Sequence, residues 1–391
     1  YEVSRCDWSS DVCSSDLTTL LMQITPPDKL GQLMAVVSTP IILGPIIGPV
    51  LGGAIVSGAN WHWIFYINIP VVIIAVLLNH FYLSSFKPFN PKAKLDWFGT
   101  LLLAGGSVGL IYGMMKGSTN AKNFFNSQMI TFVIIGLALF VIYGIYNRIR
   151  KNNTVLPLRF FKSKNFTAAN IGIFLAGIAS NGPMLLLPLF FQNTKGFTAV
   201  EAGLMLIPQG LGMMVTRPLI GKMIDRMGAR PVVLVSLAIS LLGTLPFIFV
   251  HENTNLIWLG LVLFVRGMGI GGLQMPMMTD IFIGLDKQDI PGASVGQRII
   301  QNVGSSFGSA VILAVVTAVV TSEIAGQMTT KLHQLAAMHT NLTPTVIAKA
   351  KTSVEKAVTL NGYQLGFLVS SIVLIVIAIP AMFLSQKKVN K

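Results

Sequence analysis

Residues 231–250 read PVVLVSLAISLLGTLPFIFV. The stretch holds no charged side chain and is apolar on every face of a helix. Such a helix belongs inside a large protein or inside lipid. At about 1.5 Å per residue it would be roughly 30 Å long, the thickness of a bilayer's hydrocarbon core. The stretch predicts a membrane-spanning helix.

Nine further stretches read the same way: 33–57, 63–84, 97–116, 128–147, 166–191, 200–221, 257–283, 294–320 and 362–384. Residues 18–24 look like the end of another. The whole chain of 391 residues is 53% hydrophobic and 11% charged, whereas soluble domains carry about 25% charge. A chain this apolar cannot cover itself with polar groups in water. Alternating ten-residue segments of the β-barrel type are absent, which argues against a barrel. The fold class expected is all-α integral membrane, with about ten full spans.

The net charge is +14, and its distribution explains it. With 25–32 placed in the cytoplasm, seventeen lysines and arginines fall on inside loops. Only Lys116, Lys122 and Lys195 fall on short outside loops. Four more lie in one long outside loop, 321–361, and long loops cross the membrane largely regardless of charge. The bias fixes the orientation and removes nucleic acid as the reason for a basic chain. The long loop reads as one or two amphipathic helices, broken near Pro344.

Cys6 and Cys13 are the two cysteines, and the five histidines form no HExxH pair. No metal site and no cofactor are expected. An intramembrane enzyme would need paired acids or a Ser/His pair within spans, and none is present. A channel would call for re-entrant segments or rings of like charge, which are not evident either. Residues 1–17, YEVSRCDWSSDVCSSDL, are polar and lack the basic start and apolar core of a signal peptide. They resemble the translation of a sequencing adapter and are read as non-native, so further spans are expected upstream.

The first full span contains Ile42-Leu43-Gly44-Pro45-Ile46-Ile47-Gly48-Pro49-Val50-Leu51-Gly52-Gly53. Gly44, Gly48 and Gly52 recur every four residues, so they share a helix face that permits close backbone approach. Pro45 and Pro49 each remove a backbone N–H and bend the helix. A bent helix with a smooth face suits a seam that slides or seals. This segment resembles the antiporter motif of the major facilitator superfamily. The following Asn60-Trp61-His62-Trp63-Ile64-Phe65-Tyr66-Ile67-Asn68-Ile69-Pro70 resembles the W-R-W-I-F-x-I-N-x-P segment of its EmrB/QacA-like drug:proton antiporters with fourteen spans. His62 stands where that segment has arginine, and Val71-Val72 lacks the glycine that commonly follows.

A cytoplasmic loop carries a second motif, Gly221-Lys222-Met223-Ile224-Asp225-Arg226-Met227-Gly228-Ala229-Arg230. Gly228 permits a tight turn, and Asp225 is placed to cap the next helix and to pair with Arg226 or Arg230. The pattern resembles the G-x-L-x-D-R-x-G-x-R loop that the superfamily repeats in each half. The resemblance implies a truncated major facilitator-type bundle, ten spans of an expected fourteen. Residues 18–84 are then the remnant of the N-terminal bundle. Residues 85–165 hold two extra central spans and a basic cytoplasmic linker. Residues 166–391 form a C-terminal six-helix bundle with the external loop 321–361. The first full span is number five, and the two bundles rock around a central cavity.

Charged and polar residues inside spans need a partner or a cavity. Arg217 either snorkels or joins the Asp225 cluster. Arg266, nine residues into its span, points to a cavity or a helix seam. Gln209, Gln274, Met213 and Met275 are further cavity candidates, the methionines because they adapt to varied apolar ligands. No acidic residue falls at the middle of a span, so the proton-carrying acid is expected in the lost spans. The resemblance implies a monomeric secondary transporter of the bacterial cytoplasmic membrane, exporting a lipophilic, cationic small molecule by proton antiport. The alternative is an uptake symporter or facilitator for a small polar or anionic metabolite.

Overall fold

A computed structural model describes residues 62–82, 96–118, 125–150, 154–286, 289–337 and 343–386, with Gly44, Gly48, 51–55, Gly58 and Asn60. The described helices are α1 (Trp63–Tyr66), α2 (Asn68–Tyr82), α3 (Trp97–Ser118), α4 (Ser127–Ile149), α5 (Lys164–Lys195) and α6 (Ala199–Leu204). They continue as α7 (Ile207–Met227), α8 (Ala229–Thr244), α9 (Leu256–Gly271), α10 (Gln274–Ile281), α11 (Ile290–Ala337) and α12 (Pro344–Ala381). No strand occurs among the described residues. Among the described residues, eight helical stretches are long and apolar enough to cross a membrane, and α1–α2 supplies a shorter one, Trp63–Leu78. The stretch 33–57 lies largely outside the described residues.

Several predicted spans are interrupted: 63–84 between α1 and α2, 231–250 where α8 gives way to a 3-10 turn over Leu245–Phe249, and two more. Residues 200–221 divide into α6 and α7, with Pro208 in the first turn of α7. Residues 257–283 divide into α9 and α10, separated at Gly272 and Leu273. At the other extreme, α11 has 48 residues and α12 has 38. At about 1.5 Å per residue α11 is roughly 70 Å long, more than twice the hydrocarbon core. Residues 321–337 and 344–361 are therefore continuations of α11 and α12 rather than a separate module. Pro344 starts α12, where a missing N–H costs nothing.

The hub is α5, which packs against α10, α11 and α12, while α9 packs against α7 and α8. One core gathers Phe160, Phe166, Ile173, Leu273, Ile281 and Leu384 toward the end where α12 finishes. A second gathers Leu186, Phe190, Phe247, Leu263, Tyr363 and Phe367 toward the opposite end. The α3–α4 hairpin lies against α11. Its exit is stitched down: Tyr143 Oη accepts from Leu156 N–H (2.9 Å), and Asn147 Nδ2 donates to the Leu156 carbonyl (3.0 Å).

Candidate functional site

Arg266 lies where α7, α8 and α9 meet. It is ten residues into α9, roughly 15 Å along the axis, and its relative exposure is 0%. Nη1 donates to Gln209 Oε1 on α7 at 2.8 Å. Nε and Nη2 have no hydrogen-bond partner among the described residues. Glycines bring the three helices together around it. A Cβ at Gly267 would run into the Gln209 carbonyl, and one at Gly243 into the backbone of Arg266. The guanidinium is thus held in a helix seam, closed off from the molecule's surface.

The α9–α10 break sets a second polar group. Gln274 Oε1 accepts from Gln301 Nε2 at 3.1 Å. Gln301 Oε1 in turn accepts from Gln297 Nε2 (3.0 Å) and Arg298 Nη1 (3.3 Å). Amide side chains of this kind link helices by hydrogen bonds where lipid offers none. Met275 is buried against Ile220, Ile224 and Val232. Met213 is half-buried, with its Cα 3.1 Å from a Cβ built at Gly271. The structure thus joins Gln209 to Arg266, ties Gln274 into a different network, and gives the two methionines packing positions.

At the other end of α7, Gly228 has φ +84° and forms the turn into α8. Gly221 is buried, and Arg226 is exposed. Asp225 is half-buried in the last turn of α7, because α7 continues to Met227. It does not cap α8, whose N-cap is Gly228 without a side-chain bond. Sequence reasoning missed the partner of this loop. Arg230 N–H donates to the Ser385 carbonyl at 3.0 Å. Ser385 N–H donates to Asp280 Oδ2 at 3.1 Å, and its hydroxyl donates to Oδ1. The chain after α12 is thereby pinned to α8 and α10.

Among the glycines of the glycine-proline span, Gly44 and Gly48 are exposed, and a Cβ at Gly44, Gly48 or Gly52 meets no described atom within 4 Å. Gly53 is buried. A Cβ there would sit 2.8 Å from the Ala199 carbonyl carbon and from Val200 N, at the head of α6. Pro45 and Pro49 lie outside the described residues. A cavity of about 370 Å³ opens between α3, α5 and α11, lined by Ile111, Met115, Leu185, Ser305, Ser309 and Leu313. None of the five cavity candidates lines it. Its serines, spaced one helical turn apart, were readable as a polar stripe.

The Major Facilitator Superfamily family model matches residues 17–309. The chain is 29% identical over 289 residues to a multidrug resistance protein B homolog of Mycobacterium tuberculosis, covering 73% of this chain and 53% of that protein. It is 25% identical over 370 residues to the lincomycin resistance protein LmrB of Bacillus subtilis, covering 95% of this chain and 73% of that protein. A bacterial homolog of the human lysosomal transporter Spinster, solved inward-facing and occupied, aligns at TM-score 0.47 and 14% identity over 95% of this chain and 91% of that chain. This chain spans about half the length of the Mycobacterium relative, 53%. With eight apolar spans among the described residues and a family match over residues 17–309, the chain is a multi-pass membrane protein that belongs to the Major Facilitator Superfamily.

Proposed function

We propose that this chain belongs to a secondary transporter that exports lipophilic, cationic compounds across a bacterial cytoplasmic membrane in exchange for protons, acting as a monomer. The observation that carries the reading is Gly53. The last glycine of the glycine-proline span backs onto the chain at Ala199–Val200 with no side chain between. Backbone-to-backbone contact lets two helices seal closely and part again. It joins a span of the first half to one of the second, where alternating access requires a moving seam. Relatives named for multidrug and lincomycin resistance agree with an exporter.

Cells expressing the intact gene should hold less of a lipophilic cationic dye than cells with empty vector, and a protonophore should erase the difference. Gly53→Val, which places a branched side chain against Ala199, should abolish it too. Equal dye content in energised cells with and without the protein would sink the reading.

One observation favours the anionic alternative: the buried Arg266, with Nε and Nη2 unpartnered among the described residues. A carrier for a small organic anion would take that anion up in vesicles and lose the uptake in Arg266→Met. Dye export that survives Arg266→Met would count against it.

A further inference from the structure

Where α5 begins and α12 ends, a groove of about 450 Å³ lies between the two helices. Its apolar wall is Ile171, Ile379 and Phe383, exposed at 49%, 62% and 58%. Its rim is Lys162, which ends the 3-10 turn Leu158–Lys162, and Lys164, which begins α5. Both lysines are exposed, and neither takes part in an ion pair among the described residues.

The fold holds these two charges in place. Thr167 Oγ1 donates to the Phe161 carbonyl at 2.7 Å, and Ser163 N–H donates to the Phe160 carbonyl at 3.0 Å. The Phe161 ring meets Phe166 edge-on at 5.1 Å. The neighbouring arginine, Arg159, is already spent on Asp289 at 2.5 Å. Neither wall can neutralise the lysines from its own sequence, because residues 97–200 and 356–391 contain no Asp or Glu. Of the nearby acids on other elements, Asp280 is engaged by Ser385 and Asp289 by Arg159. Lys387, Lys388 and Lys391 follow α12 in the sequence.

We propose that this groove binds one anionic phospholipid of the cytoplasmic leaflet, its headgroup phosphate between Lys162 and Lys164 and an acyl chain along Ile171, Ile379 and Phe383. Charge complementarity selects the occupant. A zwitterionic lipid would fill the apolar wall but gain little from the lysines. A soluble phosphate would use the lysines and leave the wall bare. An anionic lipid uses both, at the depth where basic pockets between spanning helices meet headgroups. The site does not depend on which substrate the carrier moves or in which direction.

The test uses the purified chain in detergent, with dioleoyl phosphatidylglycerol or dioleoyl phosphatidylcholine titrated in and bound lipid counted by native mass spectrometry. Phosphatidylglycerol should bind in preference. The preference should fall about fivefold for each lysine removed in Lys162→Gln and Lys164→Gln. It should persist in the double Lys→Arg variant, and in Lys349→Gln with Lys351→Gln as a control on the opposite side. A photoactivatable phosphatidylglycerol should label the unmutated chain within 161–171 and 379–383, which reads the site even if a variant folds poorly. Labelling confined to other segments, or an unchanged preference in a folded double glutamine variant, overturns the proposal. So does displacement of the lipid by millimolar inorganic phosphate, which would make this a soluble-anion site.

Discussion

Helices α4 and α5 follow one another in the chain, and the more apolar of the two is the less buried. In the most apolar stretch of α4, 17% of residues are buried, against 56% in α5. In water the order would be reversed. In lipid, a leucine or isoleucine loses nothing by facing outward, so apolarity does not drive a helix inward. Small residues and paired polar groups do. Helix α5 meets α11 through Gly177 on one side and Gly304 and Gly308 on the other, where a Cβ would press on backbone. Asn181 Nδ2 adds a bond to Ser305 Oγ at 2.9 Å. Helix α4 approaches its partner α3 where Gly136 crosses Gly109, and turns Ile134, Leu137, Val141 and Ile145 outward.

The sharpest attack on this comparison is a pair of glycine substitutions. Gly267→Val forces a branched side chain into the Gln209 carbonyl and should destabilise the bundle by about 3 kcal/mol. Gly144→Ala on α4, whose Cβ would lie 3.9 Å from Leu158 Cδ1, should stabilise by up to about 1 kcal/mol through helix propensity. Thermal unfolding in detergent reads both, and equal losses would break the distinction between interior and lipid-facing helices. A smaller effect tests the buried side of α4. Tyr143→Phe removes the hydroxyl that Leu156 N–H donates to, at a cost of about 1–2 kcal/mol. Faster hydrogen exchange at the Leu156 amide, with little change in α5, is the expected signature.

The smallest effect is a pH dependence at the head of α3. Burial alone pushes the Asp96 carboxyl up, but bonds from Tyr146, Gly99 N–H and Val155 N–H, with the charge of Arg150, outweigh it and hold it below 3.8. A carboxylate lowered by folding stabilises the folded state at pH above 3.8 and loses that contribution as pH falls through its lower folded value. The acid limb of the unfolding profile should therefore flatten in Asp96→Asn. An identical limb in both proteins would show that Asp96 does not couple the hairpin to the linker.

Much of this was open to inspection in the residues. The uncharged run 231–250 predicted one spanning helix, and the structure divides it into α8, which ends at Thr244, and a 3-10 turn over Leu245–Phe249. Gly228 marked the turn between α7 and α8 because only a residue without a Cβ takes φ +84° freely. The break between α9 and α10 was less legible, since GlyGly at 271–272 and Pro276 lie within a window that is apolar on average. Asp225 misled for a local reason. Its position suggested a cap, yet α7 keeps its hydrogen bonding to Met227 and carries Asp225 inside the helix. The lock between Asp280 and Ser385 joins residues 105 apart in sequence, and no periodicity points to such a pair.

The sequence by itself determined which stretches are long and apolar enough to enter lipid. Transfer free energy depends on local composition. Only the tertiary structure decided that Arg266 meets Gln209, that α5 is the hub and that Lys162 and Lys164 rim an acid-free groove. Those outcomes depend on which helix faces touch, and in a solvent as apolar as the side chains themselves, hydrophobicity does not choose the face.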